Sequence, residues 1–567
     1  MDNLPEEQKD YYKKIQDLLG HYKDGWEVFI NAHKAKDFDY PLIRKPEFEN
    51  DPYLPSTWIE LVAVTQGIIA KDMLGLDFYP PQIEIIRADH MLDVYTTVGL
   101  PGGYKHWSFG KKRMIEEKKY DASKHLAYEI VINSEPCIAY CMDTNSPVMQ
   151  MLVIAHACYG HNAVFKNNTL FKEFTNAEAI LADVANLKNF VLQCEQKYGQ
   201  EEVSDFLDFC HAMQFMDIPD TAGHRIRTKS ELKARAEEKK RLDLDAGSRI
   251  TFNGEAASKT RNDNQPTFPH RGVRNVLGYM ADHDEYFPDW KRTIMKMRSE
   301  LSQYFKPQMM TQKLNEGFAT WTHTKIMNTM FKMGLMDWGM NQEFNNSNDG
   351  VLYQPSAIRL VKDEEGKIHE QFVGASLNPY AIGFAMYDDI ERICDNPTEE
   401  DKLWFKHFAG NKDGVEMVKH AMETTSDETF IEQYLSPTVM RKFAFFEIED
   451  VAKKNFFEVT SIHNAAGFRN IRQQLANDCR TFDIIPNIRV HDYQETDRCL
   501  ILRHQMKDGA PLEPKSLQQI LELMHSQRGY PVVVESVDET GNVRETFSSP
   551  EKYDYAKYKR TYRHLSP

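Results

Sequence analysis

The segment His-Ala-Cys-Tyr-Gly-His, His156 to His161, sets two imidazoles inside an otherwise apolar run, Val148 to Phe165. Imidazoles in such surroundings are costly unless each ring nitrogen has a partner. Hydrogen bonds are one way to supply it and metal coordination is the other. A second segment, Asn315 to His323, carries Glu316, Thr320, His323, Met327 and Met330 along one helical stripe. Much of that stripe is small or apolar, so Glu316 and His323 are expected to point inward. A buried carboxylate must be paired, metal-bound or protonated. Singly, each of these residues fits a hydrogen-bonded core position. Together they predict a divalent ion, zinc, held by His156, His161 and Glu316. Such an ion polarises a carbonyl and lowers the pKa of bound water, the chemistry of amide hydrolysis.

The pattern is similar to a zincin site, with a strand, a helix bearing two histidines and a later helix supplying a glutamate. It departs from His-Glu-x-x-His in two ways. The histidines are five residues apart, which on an ideal α-helix separates them by roughly 140°. They converge only through a bulge or at a frayed helix end. Position 157 is Ala157, so the usual general base is missing. Glu129 is the expected substitute, with Glu135 behind it; the plainer reading of Glu129 is a strand-edge salt bridge. Glu316 and His323 are two turns, about 10 Å, apart along the axis. His323 is therefore expected to orient a ligand, stabilise a developing oxyanion or serve a second ion. The alternative is a non-catalytic regulatory or scaffold protein in which these residues form a buried polar network. A two-metal redox site ranks lower, because the paired Glu-x-x-His motifs of di-iron bundles are absent.

Positioning these groups requires particular elements. Residues 1–35 and Trp58 to Met73 read as amphipathic helices. Ala127 to Asn133 alternates and is β-branched, so it reads as a strand. Ser146-Pro147 is an N-cap followed by a first helical residue, opening the buried helix Val148 to Phe165. Its end, Lys166 to Asn168, is expected to cap it or to bind a polar substrate. Helices are also expected from Asn176 to Tyr198, Glu202 to Phe215, Trp290 to Phe305 and Met309 to Met333, the last stopped by Gly334. Residues 356–374 read as a hairpin turning at Glu365-Gly366. Four strands and the helix Leu-Gln-Gln-Ile-Leu-Glu-Leu-Met-His follow near the C-terminus in ββαββ order. The expected fold is α+β. It has a mainly helical, zincin-like N-terminal domain with a small sheet, residues 1–440, and a small C-terminal ββαββ domain, residues 441–567. The charged stretch 221–272 reads as a solvated, mobile insert.

Composition narrows the function further. The 567 residues hold 69 Lys and Arg against 85 Asp and Glu, a net charge of −16. That excess argues against general nucleic-acid binding and against docking on anionic lipid. No apolar run is long enough to span a bilayer, and the acidic first residues are not expected to form a secretory signal. The eight cysteines are sparse and several lie in apolar helical runs, as expected of reduced thiols in a cytoplasmic protein. Cys137 and Cys141 lack the second pair of a zinc cage and read as buried side chains. His106 to Lys111 reads as a packed corner, and His211 as part of a helix interface. No P-loop, dinucleotide fingerprint or nucleophile elbow occurs.

Long strings of the chain resemble the SpoVR family, named for stage V sporulation protein R. They include Ile83 to Lys111, Leu126 to Met142, Val153 to Asn168, Lys313 to His323, Asn378 to Ile393 and Leu500 to Leu512. The resemblance covers nearly the whole chain and is weakest over 221–272. It implies a cytoplasmic bacterial protein linked to spore-cortex formation or stress physiology. It also implies a serine protein kinase and a protein with a von Willebrand-type domain as partners. The cortex link in turn suggests a cell-wall precursor, or a protein controlling wall synthesis, as substrate. The resemblance supplies biology, and the mechanism rests on the residues above.

Overall fold

The protein is described by a computed structural model over residues 6–35, 42–96, 100, 103–123, 129–213, 215–217, 274–355, 358–362, 368–372, 377–443, 445, 448–450, 457–459, 465–479, 485–494, 497–506 and 509–550. The charged stretch 221–272 lies outside the described residues. The fold is α+β and mostly helical, with small sheets. Two compact units are present. The first comprises residues 1–101, 107–181 and 307–480, and the second 102–106, 182–306 and 481–567.

The first unit is built on a three-stranded sheet, β1 (Pro81–Ile86), β2 (Glu129–Ile132) and β3 (Cys137–Met142), in the order β1-β3-β2. β3 pairs parallel with β1 and antiparallel with β2. As the central strand it is buried on both faces, and Cys137 and Cys141 are free thiols packed there. Burial on both faces removes the apolar–polar alternation that marks a half-exposed strand, so β3 is not legible as one. β1, which begins at Pro81, was likewise not expected. Residues 1–35 form two helices, Glu6–Leu19 and Val28–Ala35, rather than one. The chain turns between them at Gly25, whose φ of +51° suits glycine.

After β3 the Ser146 hydroxyl accepts from the Met149 N–H and Pro147 takes the first helical position, as read from the sequence. The helix Pro147–Ile154 passes into a π-helical turn, Ala155–His161, and returns to α over Asn162–Asn167. This histidine helix is buried almost throughout, and the Gln66 side chain donates to the Met151 carbonyl near the start of the π turn. The Asn168 side chain then caps the next helix by accepting from the Leu170 N–H.

The carboxylate helix, Gln312–Lys332, stops at Gly334, where φ is +77°. Its N-cap residue, Thr311, makes no capping bond with its side chain. Asp427, from a helix far along the chain, supplies the cap and accepts from the Lys313 N–H at 3.0 Å and the Leu314 N–H at 2.8 Å. A carboxylate there satisfies two otherwise unpaired donors and sits favourably at the positive end of the helix dipole.

Small residues set the packing around this helix. A Cβ on Gly160 would lie 2.5 Å from the Ala319 Cα, and one on Gly383 would lie 2.1 Å from the Lys313 carbonyl oxygen and 2.7 Å from the Gly317 Cα. The carboxylate helix is thus gripped, nearly backbone to backbone, between the histidine helix and the helix Pro379–Asp395.

β4 (Ile358–Lys362) and β5 (Ile368–Phe372) pair antiparallel as the expected hairpin; its turn lies outside the described residues. β6 (Ile448–Asp450) and β7 (Phe457–Val459) form a second antiparallel pair. The second unit contains the C-terminal sheet, β8 (Ile488–Gln494), β9 (Cys499–Gln505), β10 (Val532–Val537) and β11 (Val543–Ser549), in the order β11-β10-β9-β8. The helix Pro514–Arg528 connects the parallel pair β9 and β10, giving the ββαββ order read from the sequence. Within this unit Arg528 donates to Asp284 at 2.6 Å in a buried ion pair. In the same unit His211 stacks on His106 and bonds the Tyr104 hydroxyl at 2.7 Å, a packed polar corner.

Two predictions follow from the grip on the carboxylate helix. Gly383→Ala forces its methyl into a carbonyl and should cost about 2–3 kcal/mol in denaturant unfolding; a loss below about 0.5 kcal/mol would contradict the close approach. Burial pushes the Asp427 carboxyl from 3.8 up to about 6, against the smaller opposing pull of Lys313. The folded protein therefore holds this proton more tightly than the unfolded chain does. The stabilisation is complete below 3.8 and is lost as pH rises through about 6. The stability of the wild type relative to Asp427→Asn should rise between about pH 7 and about pH 5. A flat difference across that window would count against this assignment.

Candidate metal centre

Hydrogen bonding around an i→i+5 turn brings residues five apart onto one face of the helix. The π turn therefore does for His156 and His161 what a four-residue spacing does in an α-helix. Both rings are buried and their centroids are 4.6 Å apart and perpendicular. Opposite them stands Glu316, one turn into the carboxylate helix. Its Oε2 lies 3.5 Å from His156 Nε2 and 3.4 Å from His161 Nε2. The same oxygen is buried with no hydrogen-bond partner. One ligand atom from each of the three residues falls within 4.8 Å of the other two. Zinc bonds of about 2.0–2.1 Å at tetrahedral angles put neighbouring ligand atoms roughly 3.3–3.4 Å apart. The two Glu316 separations are close to that spacing and longer than good hydrogen bonds.

The outer faces of the two imidazoles decide which nitrogens remain open. His161 Nδ1 bonds Asn315 Oδ1 at 2.8 Å. An amide oxygen only accepts, so the His161 proton sits on Nδ1 and its Nε2 presents a lone pair to Glu316. His156 is fixed through two bonds. His323 Nε2 lies 2.8 Å from Asn348 Oδ1 and must donate to it. Neutral His323 then offers a lone pair at Nδ1, which is 2.9 Å from His156 Nδ1. His156 donates there and is left with its lone pair at Nε2. Two separate hydrogen-bond systems therefore aim two imidazole lone pairs at one carboxylate oxygen.

The charges agree with that arrangement. Burial, with His156 nearby, pushes His323 down to about 3 and keeps it neutral. Burial and His161 also lower His156. Burial works against charge on Glu316 too, but His161 and His156 outweigh it and hold this carboxyl well below the usual range. His161 rises despite its burial, chiefly because it faces Glu316. The centre thus contains an ionised carboxylate, a His156 biased to its neutral form and a His161 for which Glu316 favours a second proton, on Nε2, beside the Nδ1 proton held by Asn315. A divalent cation bound there would take the place of that Nε2 proton.

Glu129, at the start of edge strand β2, completes the rim. Its Oε1 is 3.9 Å from His156 Nε2, too long for a hydrogen bond. Burial pushes its carboxyl up to about 7, with Glu316 adding to the rise and His161 opposing it. Glu129, His156 and His323 all border a cavity of ≈ 840 Å³. Tyr380 forms another part of its wall, its ring roughly parallel to His156 at 6.1 Å.

Of the residues singled out in the sequence, His156, His161, Glu316 and Glu129 converge, and His323 stands behind His156. Glu135 is exposed, and it has no contact with the centre. Sequence reasoning missed Asn315, Asn348, Tyr380 and Gly160. Asn315 precedes Glu316 and Gly160 precedes His161, so adjacency was an available signal for both. Asn348 and Tyr380 reach the centre only through the fold.

Comparison with known proteins covers most of the chain. Residues 58–484, which contain every residue of the centre, match the family model described as SpoVR like protein. Residues 486–539 match the SpoVR-like C-terminal domain. A relative, the uncharacterized protein YcgB of Escherichia coli (strain K12), is 38% identical over 481 residues, spanning 84% of this chain and 91% of that protein. No solved structure matches the chain. With both family models matched in order along its length, this chain belongs to the SpoVR family.

Proposed function

We propose that His156, His161 and Glu316 hold a divalent cation, zinc, and that the centre hydrolyses an amide bond. The convergence of two imidazole lone pairs on a buried carboxylate oxygen that lacks a donor carries this reading. Three protein ligands are the number typical of catalytic zinc, with a further position left for water or substrate. The ion supplies Lewis acidity toward a carbonyl and lowers the pKa of water. Glu129 is the general base. It has no tight partner, stands at the cavity wall and occupies the role for which Ala157 has no side chain. His323 is a positioning residue that fixes the proton of His156 and is itself fixed by Asn348. The family name suggests sporulation and the spore cortex as the biological setting, with an amide in a wall precursor or in a regulatory protein as substrate. The family's association with a serine protein kinase and a von Willebrand-type partner belongs to the same proposal, as does a cytoplasmic location. No helix among the described residues is long and apolar enough to cross a membrane.

Metal analysis of untagged protein is the direct test. Near-stoichiometric metal is expected in the wild type and should be lost in His156→Ala, His161→Ala and Glu316→Ala. Well-folded protein that stays metal-free when supplied with zinc, iron or manganese would end the proposal. Glu129→Gln should keep its metal and lose about 10²–10⁴-fold in cleavage of a capped-peptide pool. Metal loss in that variant would make Glu129 a ligand instead. Asn348→Leu leaves the ligand set intact but frees the His323 ring. Metal affinity should fall about 10–100-fold, and unchanged affinity would break the proposed link from Asn348 to His156.

A further inference from the structure

The cavity beside the centre has a one-sided chemistry. Met149, Leu152, Val153 and His156 follow one another at helical spacing, so one stripe of the histidine helix supplies both an apolar wall and the inner imidazole. Facing it are the last turns of the helix Trp338–Val351, with Gly350 and Val351, and the start of the helix Pro379–Asp395. Among the described lining residues there is no Lys or Arg; the ionisable ones are Glu129, His156, His323 and the phenols Tyr353 and Tyr380. The Asn378 side chain is occupied, accepting from the Tyr380 N–H and donating to the Val351 and Tyr353 carbonyls. Apart from the cation proposed at the centre, the described wall therefore offers an incoming anion no cationic partner, and an anion would meet Glu129. Burying an unpaired negative charge there is prohibitive, whereas an aliphatic or aromatic group buries its surface at a gain.

We infer that this cavity is a binding site for an uncharged amide flanked by an apolar side chain, as in a peptide segment, and that it rejects phosphorylated or carboxylate-bearing groups. The inference rests on the amide-hydrolase reading for its function, though not for its binding preference. Of the two proposed substrate classes it favours the protein, since a nucleotide-linked wall precursor would bring anionic phosphates toward a wall without cations.

Ligand-observed saturation-transfer NMR on the full chain, with and without zinc, tests it. The probes are N-acetyl-leucinamide, N-acetyl-aspartamide and phenyl phosphate. In the zinc-free protein, where the wall alone decides, the leucine amide should bind at least about tenfold more tightly than either anion. Gly350→Trp should abolish its binding, because a Cβ at Gly350 meets nothing within 4 Å and the added ring would occupy the cavity. Val351→Arg should shift preference toward the anions, and it serves if the tryptophan variant fails to fold. Equal or tighter binding of the anions by the zinc-free wild type would overturn the inference, as would leucinamide binding that survives both variants. A protein that binds the leucine amide selectively yet takes up no metal would instead overturn the hydrolase reading and leave this one standing.

Discussion

Backbone contact at Gly160 and Gly317 is the constraint on which the centre depends. The Gly160 and Ala319 positions approach so closely that no side chain fits between them, and Gly317 meets Gly383 in the same way on the other side. Only glycine lets helix backbones come this near without a side chain holding them apart. At ordinary helix separations, set by side chains at the contact, Glu316 would not reach His156 and His161 together. The grip also explains why Asp427 caps the carboxylate helix from a distant segment: a helix end packed this tightly must find partners for its N–H groups within the protein.

The π turn is the second requirement, and it acts with the first. In a regular α-helix one of the two histidines would face away from Glu316. The wider turn rotates both toward it and places Gly160 at the contact with Ala319. Such turns are uncommon and occur often at functional sites. Here the same few residues provide the close approach, the convergence of ligands and the apolar cavity wall one and two turns earlier.

Polar groups in the centre are arranged in layers. Glu316 faces the two Nε2 atoms, Asn315 and His323 hold the two Nδ1 atoms, and Asn348 holds His323. Each outer bond removes an alternative protonation state of the ring inside it. Glu316 Oε2 lies 3.4–3.5 Å from both Nε2 atoms, longer than good hydrogen bonds. The open space lies on the side of His156 and Glu129.

Much of this was legible in the residues. Apolar periodicity marked the helices, Ser146-Pro147 the start of the histidine helix, Gly334 the end of the carboxylate helix, and short β-branched and apolar runs the C-terminal strands. These are local properties, set by a residue and its neighbours within a few turns. His156, His161 and Glu316 stood out because polar groups in apolar runs need partners wherever they are found. Local pattern could not separate β3 from other buried apolar sequence, since a strand covered on both faces has no alternation to display. Nor could it establish the π turn, since the five-residue spacing allowed convergence through a bulge without imposing one, or the roles of Asn348 and Tyr380, which lie far from the histidines along the chain. Composition and spacing thus determined which groups needed partners. Which partners they received was decided by the tertiary structure, because convergence depends on how closely two helices approach and in what rotation, and those quantities are set by contacts between residues distant in sequence.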